Sequence, residues 1–257
     1  MTSTRTASAA THAADCSAAE WTARVELAAC YRVFAQMGWT ELIFNHITLR
    51  VPDDPAHFLI NPFGLHYSEV RASNLVKIDT AGNPVGPTRH RVNPAGFVIH
   101  AAIHQGIDDA HCVMHTHTTA GLAVACTRAG LTMSNFYAVN LANRVSYHDF
   151  EGVTTRLDEG PRLIRSFGNN KAMILRSHGL ISHGSTVAEA FVWLWTLNRA
   201  CEIQLATASM GAEILPIPAS AWQDPARAGL QFSPQNAQAV FDALRRAVDA
   251  ADPGYQY

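Results

Sequence analysis

The stretch Cys112-Val113-Met114-His115-Thr116-His117 governs how the whole chain is read. Three apolar residues suited to a short buried strand run directly into two histidines spaced i, i+2. On an extended backbone that spacing sends both imidazoles to one side. The end of a strand is also where α/β folds tend to place ligand sites. A second run has the same form: Ala172-Met173-Ile174-Leu175 is a buried-strand segment, followed by Arg176-Ser177-His178-Gly179. His178 is the natural third ligand to join His115 and His117 around one divalent metal ion, and Gly179 lets the chain turn away and leaves room beside that ion.

Working outward, apolar residues at Val25, Ala28, Ala29, Val33 and Met37 predict a helix over 21–38. Short strands are predicted at 47–51, 58–60 and 75–78, and helices at 95–106 and near 119–128. A long helix is predicted from 185 to about 210, with Glu189 three residues after Thr186 as a capping box. Its bulky Phe191, Trp193, Trp195 and Leu197 suit a core or subunit-interface stripe. Residues 216–229 are loop-like, and 234–250 form a final amphipathic helix. Strands separated by helices, without repeats, predict one α/β layered domain over 18–257 behind a disordered tail, 1–17, rich in Ala, Ser and Thr. Sequence order alone leaves the sheet parallel, antiparallel or mixed.

The balance of the chain narrows its partners. Its 257 residues, 48% hydrophobic with a net charge of −2, are enough for one large core and lack the basic face that phosphate backbones require. No nucleic acid is therefore expected. No basic run or membrane-length apolar run is present, so no membrane is expected either, and a small molecule is the expected partner. The five cysteines are odd in number and form no C-x-x-C pair, which fits reduced thiols in the cytoplasm rather than a disulfide framework or a thiolate zinc site. Thirteen histidines are many, and histidine is the commonest metal ligand.

Several motifs in order carry a family resemblance. Residues 111–121 around His115 and His117, then Tyr147-His148-Asp149-Phe150-Glu151-Gly152, then 174–180 around His178, then Ala188-Glu189-Ala190-Phe191 and 200–204, resemble the class II aldolase/adducin family, nearest its adducin-like bacterial branch. The resemblance covers roughly residues 20–211. It implies a three-layer α/β/α single domain with a mostly antiparallel central sheet. It also implies homo-oligomers, usually tetramers, with active sites at subunit interfaces. It implies a divalent metal ion on three histidines, zinc first with iron or manganese as alternatives, polarising a carbonyl. His115, His117 and His178 match the ligand positions. Tyr147 matches a tyrosine that donates a proton across the interface, and His148 beside it is an acid/base candidate by its own chemistry.

The departures from that pattern are equally informative. The family's acid/base glutamate falls on Gly96, counting back from His100, which matches a family histidine. The two hydroxyl positions before it fall on Pro94 and Ala95. Of the phosphate-binding turns, Asn45 survives between Phe44 and His46, and the second segment reads Asn61-Pro62-Phe63-Gly64. Asn45, Asn61 and Gly64 are thus the substrate-binding candidates. A phosphate dianion without its hydroxyl donors would be poorly held, so a less polar acid is expected. His100 and His104, spaced i, i+4 on one helix face, suit packing or support of the ligand shell. His46, His66 and His90 flank the pocket without an assignable role, and Arg89 suits a solvated position.

The expected function is a metal-dependent lyase, by decarboxylation or aldol-type C–C cleavage, acting on a small non-phosphorylated 2-oxo or hydroxy acid through a metal-stabilised enolate. Two alternatives stand beside it. One is a non-catalytic adducin-like oligomerisation protein. The other is a non-haem iron oxygenase that oxidatively decarboxylates an aryl 2-oxo acid.

Overall fold

The first helix, α1 (Ala18–Met37), begins where Ser17 accepts a hydrogen bond from Glu20 N and ends at Gly38, whose φ of +72° is the left-handed closure that glycine adopts freely. The structure is a computed structural model that describes residues 11–152, 157–223 and 232–257, with main chain alone at 94–96 and 157. Positions 1–10 of the expected disordered tail lie outside the described residues. Residues 13–15 of that tail form a single 3₁₀ turn.

Seven strands follow: β1 (Ile47–Val51), β2 (Asp54–Ile60), β3 (Val76–Asp79), β4 (Cys112–Thr116), β5 (Val145–His148), β6 (Ala172–Leu175) and β7 (Gly179–Gly184). They form one sheet in the order β3-β2-β1-β4-β7-β6-β5. Every neighbouring pair is antiparallel except β5 with β6. The remaining helices are α2 (Pro94–Gly106), α3 (Thr119–Ala125), α4 (Phe136–Asn140), α5 (Gly160–Phe167), α6 (Val187–Ser209) and α7 (Pro234–Ala251).

The period-2 alternation of the strands sorts them into layers. Ile47, Leu49, Cys112, Met114, Ala172 and Ile174 face one way, into a core with α1, α3, α6 and α7. Val113, Met173, Leu175 and Ile181 face the other way and bury Ile99 and Ile103 of α2 with Leu163 and Phe167 of α5. The result is the three-layer α/β/α domain with a mostly antiparallel sheet that the resemblance implies.

Some details differ from the sequence reading. β2 starts at Asp54 and carries Pro55, because strand pairing here outweighs the proline signal. β4 runs on through His115 to Thr116. β5, β7, α4 and α5 have no counterpart among the predicted elements; β7 contains Gly179, Ser182, His183 and Gly184, which hide its strand character. Thr186 caps α6 through Glu189 N as expected, but the Glu189 carboxylate turns to Ser185 N and Oγ, both at 2.7 Å. Trp193 is a core residue rather than an interface one: it is 7% exposed and stacks on Phe232 with ring centroids 3.8 Å apart. No helix among the described residues is long and apolar enough to cross a membrane.

Candidate metal centre

β4 and β7 place the first candidate ligand. His115 pairs with Ile181 across the ladder, and its Nδ1 lies 2.8 Å from the Leu180 carbonyl oxygen. A carbonyl only accepts, so Nδ1 carries the proton and Nε2 presents a bare lone pair. His117, two residues on, brings its Nε2 to 2.7 Å from that same Nε2. His178 sits in the three-residue link between β6 and β7, with ring centroids 4.8 Å from His115 and 4.9 Å from His117. One ligand-capable atom from each ring lies within 4.8 Å of the others, the one such cluster among the described residues.

Two backbone features make the convergence possible. Ser177 adopts φ +55°, so the left-handed turn that swings His178 inward is made by a serine. Gly179 was expected to let the chain turn away and to leave room beside the ion; the left-handed turn falls on Ser177, and the room is left at 179 as expected. A Cβ at 179 would lie 2.4 Å from Thr116 O, 2.9 Å from His117 Cδ2 and 3.2 Å from His115 Cε1. The three rings converge only around a residue with no side chain.

Burial sets the charge state. It holds the His115 imidazole well below its ordinary pKa, helped by His178, His117 and His46. Burial lowers His117 too, against a pull upward from Glu41, and it pushes His178 down to about 4, with His117 adding to the effect. Three neutral imidazoles, one with its tautomer fixed by a backbone carbonyl, suit a borderline divalent ion.

The other sequence candidates divide. Asn45 is 1% exposed, and neither amide atom has a hydrogen-bond partner among the described residues, so a donor and an acceptor are unspent beside His46. Asn61 is instead drawn into the core, where its Oδ1 and N lie 3.0 and 3.2 Å from the Tyr31 hydroxyl. Gly64 takes φ +99° in the turn after Phe63, with open space where a Cβ would stand. Tyr147 packs toward α3 and α6: its hydroxyl accepts from Leu131 N at 3.0 Å, and the Arg176 guanidinium lies 4.4 Å over its ring. His148, pointing the opposite way, lines a small cleft with Phe150, Glu151, Glu159 and His178. Its Nδ1 is 2.9 Å from Ser166 Oγ, and its Nε2 lies 3.6 and 3.5 Å from the Glu151 and Glu159 carboxylates. The structure therefore brings His148, not Tyr147, into a cleft with His178 within one chain.

A second histidine group adjoins the first. Thr48 Oγ1 lies 2.7 Å from both His100 Nδ1 and His104 Nε2, and His104 Nδ1 lies 2.6 Å from Ala110 O. The His46 ring lies 4.1 Å from His100 and 6.1 Å from His115, centroid to centroid. The i, i+4 spacing of His100 and His104 signals a shared face, but no sequence pattern points to Thr48, which comes from a strand about fifty residues earlier. His66 is exposed and bonded to Ser68, apart from this group.

Comparison with known proteins identifies the family. Residues 25–205 match the family model of the class II aldolase and adducin N-terminal domain. The chain is similar to an aldolase II superfamily protein from Pseudomonas syringae, with a TM-score of 0.88, 40% identity, and coverage of 94% of this chain and 98% of that one. It is similar to an L-fuculose 1-phosphate aldolase from Glaciozyma antarctica, with a TM-score of 0.76, 25% identity, and coverage of 90% and 91%. Alpha-adducin of Rattus norvegicus is 46% identical over 187 residues, which are 72% of this chain and 25% of adducin. With its seven-stranded sheet and its histidines at the ends of β4 and β6, the chain belongs to the class II aldolase/adducin family.

Proposed function

We propose that the protein is a metal-dependent lyase acting on a small, non-phosphorylated 2-oxo or 2-hydroxy acid, with one divalent ion held by His115, His117 and His178. Zinc is the first choice, iron and manganese the alternatives. The observation that supports this most is the convergence of three neutral imidazoles around the space that Gly179 leaves open. The ion, when bound, supplies a Lewis acid. Leu180 O orients His115, and Asn45 has both amide atoms unspent for a ligand's polar groups. His148, between two carboxylates in the cleft it shares with His178, is placed to give or take a proton.

The residues present favour a carboxylic acid over a sugar phosphate. Position 96 is glycine, so no carboxylate stands at the family's acid/base position, and Pro94, Ala95 and Phe63 offer no hydroxyl to a phosphate. Phe44 and Phe63, with rings 6.4 Å apart, set apolar surface next to Asn45 and Gly64 in the chain instead. Decarboxylation needs no base to begin it and so suits this residue set. We further propose a cytoplasmic homotetramer: Phe136 and Phe150 are 71% and 54% exposed, large for an isolated surface.

The identity with alpha-adducin favours a second reading, a non-catalytic oligomerisation module. One experiment separates the two. Protein purified without added metal is analysed for zinc, iron and manganese, for light-scattering mass, and for CO2 release, C–C cleavage products and oxygen uptake on a panel of 2-oxo and 2-hydroxy acids. One ion per chain, lost in His178→Ala, with turnover of at least one acid, is expected. A metal-free, inert oligomer supports the scaffold reading, and iron with oxygen uptake supports an oxygenase.

A further inference from the structure

The His100–Thr48–His104 chain fixes the position of every proton along it. His104 Nδ1 faces a carbonyl, Ala110 O, at 2.6 Å, so that nitrogen is the donor. Burial pushes the His104 pKa down to about 3, so the ring is neutral and its Nε2 is an acceptor. The Thr48 hydroxyl has one hydrogen, and it must go to His104 Nε2 at 2.7 Å. Thr48 Oγ1 can then only accept from His100, whose Nδ1 lies at 2.7 Å. Burial also keeps His100 neutral, so its one ring hydrogen is spent on Thr48.

His100 Nε2 is left as a bare lone pair. It is 0% exposed, has no hydrogen-bond partner among the described residues and points away from Thr48; the His46 ring lies 4.1 Å from the His100 ring at a tilt of 43° and 6.1 Å from the His115 ring, centroid to centroid. A buried acceptor without a donor is costly, and a donor brought to it recovers that cost.

We propose that His100 Nε2 is a specificity-determining acceptor for the candidate site, taking a hydrogen bond from a ligand hydroxyl. The site then selects 2-hydroxy acids over 2-oxo acids of the same shape. A 2-oxo group brings a second lone pair against Nε2, and a phosphate dianion brings only acceptors, so both are disfavoured. This rests on the acid-binding reading of the previous section.

Mandelate and phenylglyoxylate have the same carbon skeleton and differ at the required atom, and phenylglyoxylate has no α-hydrogen to enolise. Calorimetric titration of the zinc-loaded protein is expected to show mandelate binding about tenfold tighter, the order of one satisfied hydrogen bond. His100→Phe is expected to bind the two equally. His100→Gln, which can restore an acceptor near Nε2, is expected to recover part of the preference. Long-range 15N–1H spectra of the metal-free wild type are expected to show protonated Nδ1 on both His100 and His104. In Thr48→Val the His100 pattern changes. Equal wild-type affinity for the two acids, or a protonated His100 Nε2, overturns the proposal while leaving the acid-binding reading intact. Failure of both acids to bind a zinc-loaded protein overturns the reading itself.

Discussion

Six histidines crowd the ends of β1, β4 and β7, and they divide into two groups of opposite chemistry. In one, His115, His117 and His178 turn nitrogens toward one another in a partly open site. In the other, His46, His100 and His104 are 5%, 0% and 2% exposed beneath α2, and both His104 nitrogens are spent on protein partners. The same side chain becomes a ligand or a strut according to where its second nitrogen goes. A backbone carbonyl on one nitrogen frees the other, as Leu180 does for His115. A bond at each end, as for His104, leaves nothing to coordinate. His100 stands between the two cases, held at one nitrogen and bare at the other.

The largest expected effect breaks the first group alone. Gly179→Ala drives a Cβ to 2.4 Å from Thr116 O, a backbone atom that cannot swing aside. Zinc affinity, read by chelator competition, is expected to fall about a hundredfold, with stability reduced by about 2–3 kcal/mol. Unchanged affinity would show that the three histidines do not depend on this close approach.

A smaller effect belongs to the second group. His104 is neutral in the folded protein down to a pKa of about 3, whereas an unfolded histidine titrates near ~6.5. Below ~6.5 the unfolded chain binds a proton that the folded chain refuses until about 3, so stability falls as pH drops through that window. His104 alone contributes a loss of about 3 kcal/mol between pH 7 and pH 4. Urea unfolding across that range is expected to show a shallower pH dependence in His104→Asn. Equal slopes in variant and wild type would mean that the buried ring does not stay neutral.

The smallest effect tunes the link between the groups and the sheet. Ser177 holds φ +55°, where glycine has no steric penalty. Ser177→Gly is expected to raise stability by about 0.5 kcal/mol while loosening the His178 loop enough to weaken zinc binding slightly. A loss of thermal stability would indicate that the serine is not strained.

Much of this was legible from spacing. The two strand-then-histidine runs foretold both the sheet and the three converging rings, because a period of two and a strand end leave few directions for an imidazole. β7 was not legible: its glycines, Ser182 and His183 carry no apolar run, and it is a strand because β4 and β6 flank it with open hydrogen-bonding edges. Tyr147 and Asn61 were matched by position alone; the partners they have within one chain, Leu131 N and the Tyr31 hydroxyl, lie 16 and 30 residues away and exist only in the folded chain. The Thr48 relay was hidden for the same reason, since its two histidines lie 52 and 56 residues downstream.

The Leu180 carbonyl that orients His115 lies 65 residues later in the chain. During synthesis, His115 and His117 leave the ribosome long before that carbonyl and before His178. Until β7 closes against β4, the nascent chain offers two histidines with unfixed tautomers, a weak and unselective grip on any ion. On the proposed metal-binding reading, uptake would be tied to the last pairing at the centre of the sheet, and the ion would act as a late lock on a finished fold rather than a nucleus for it.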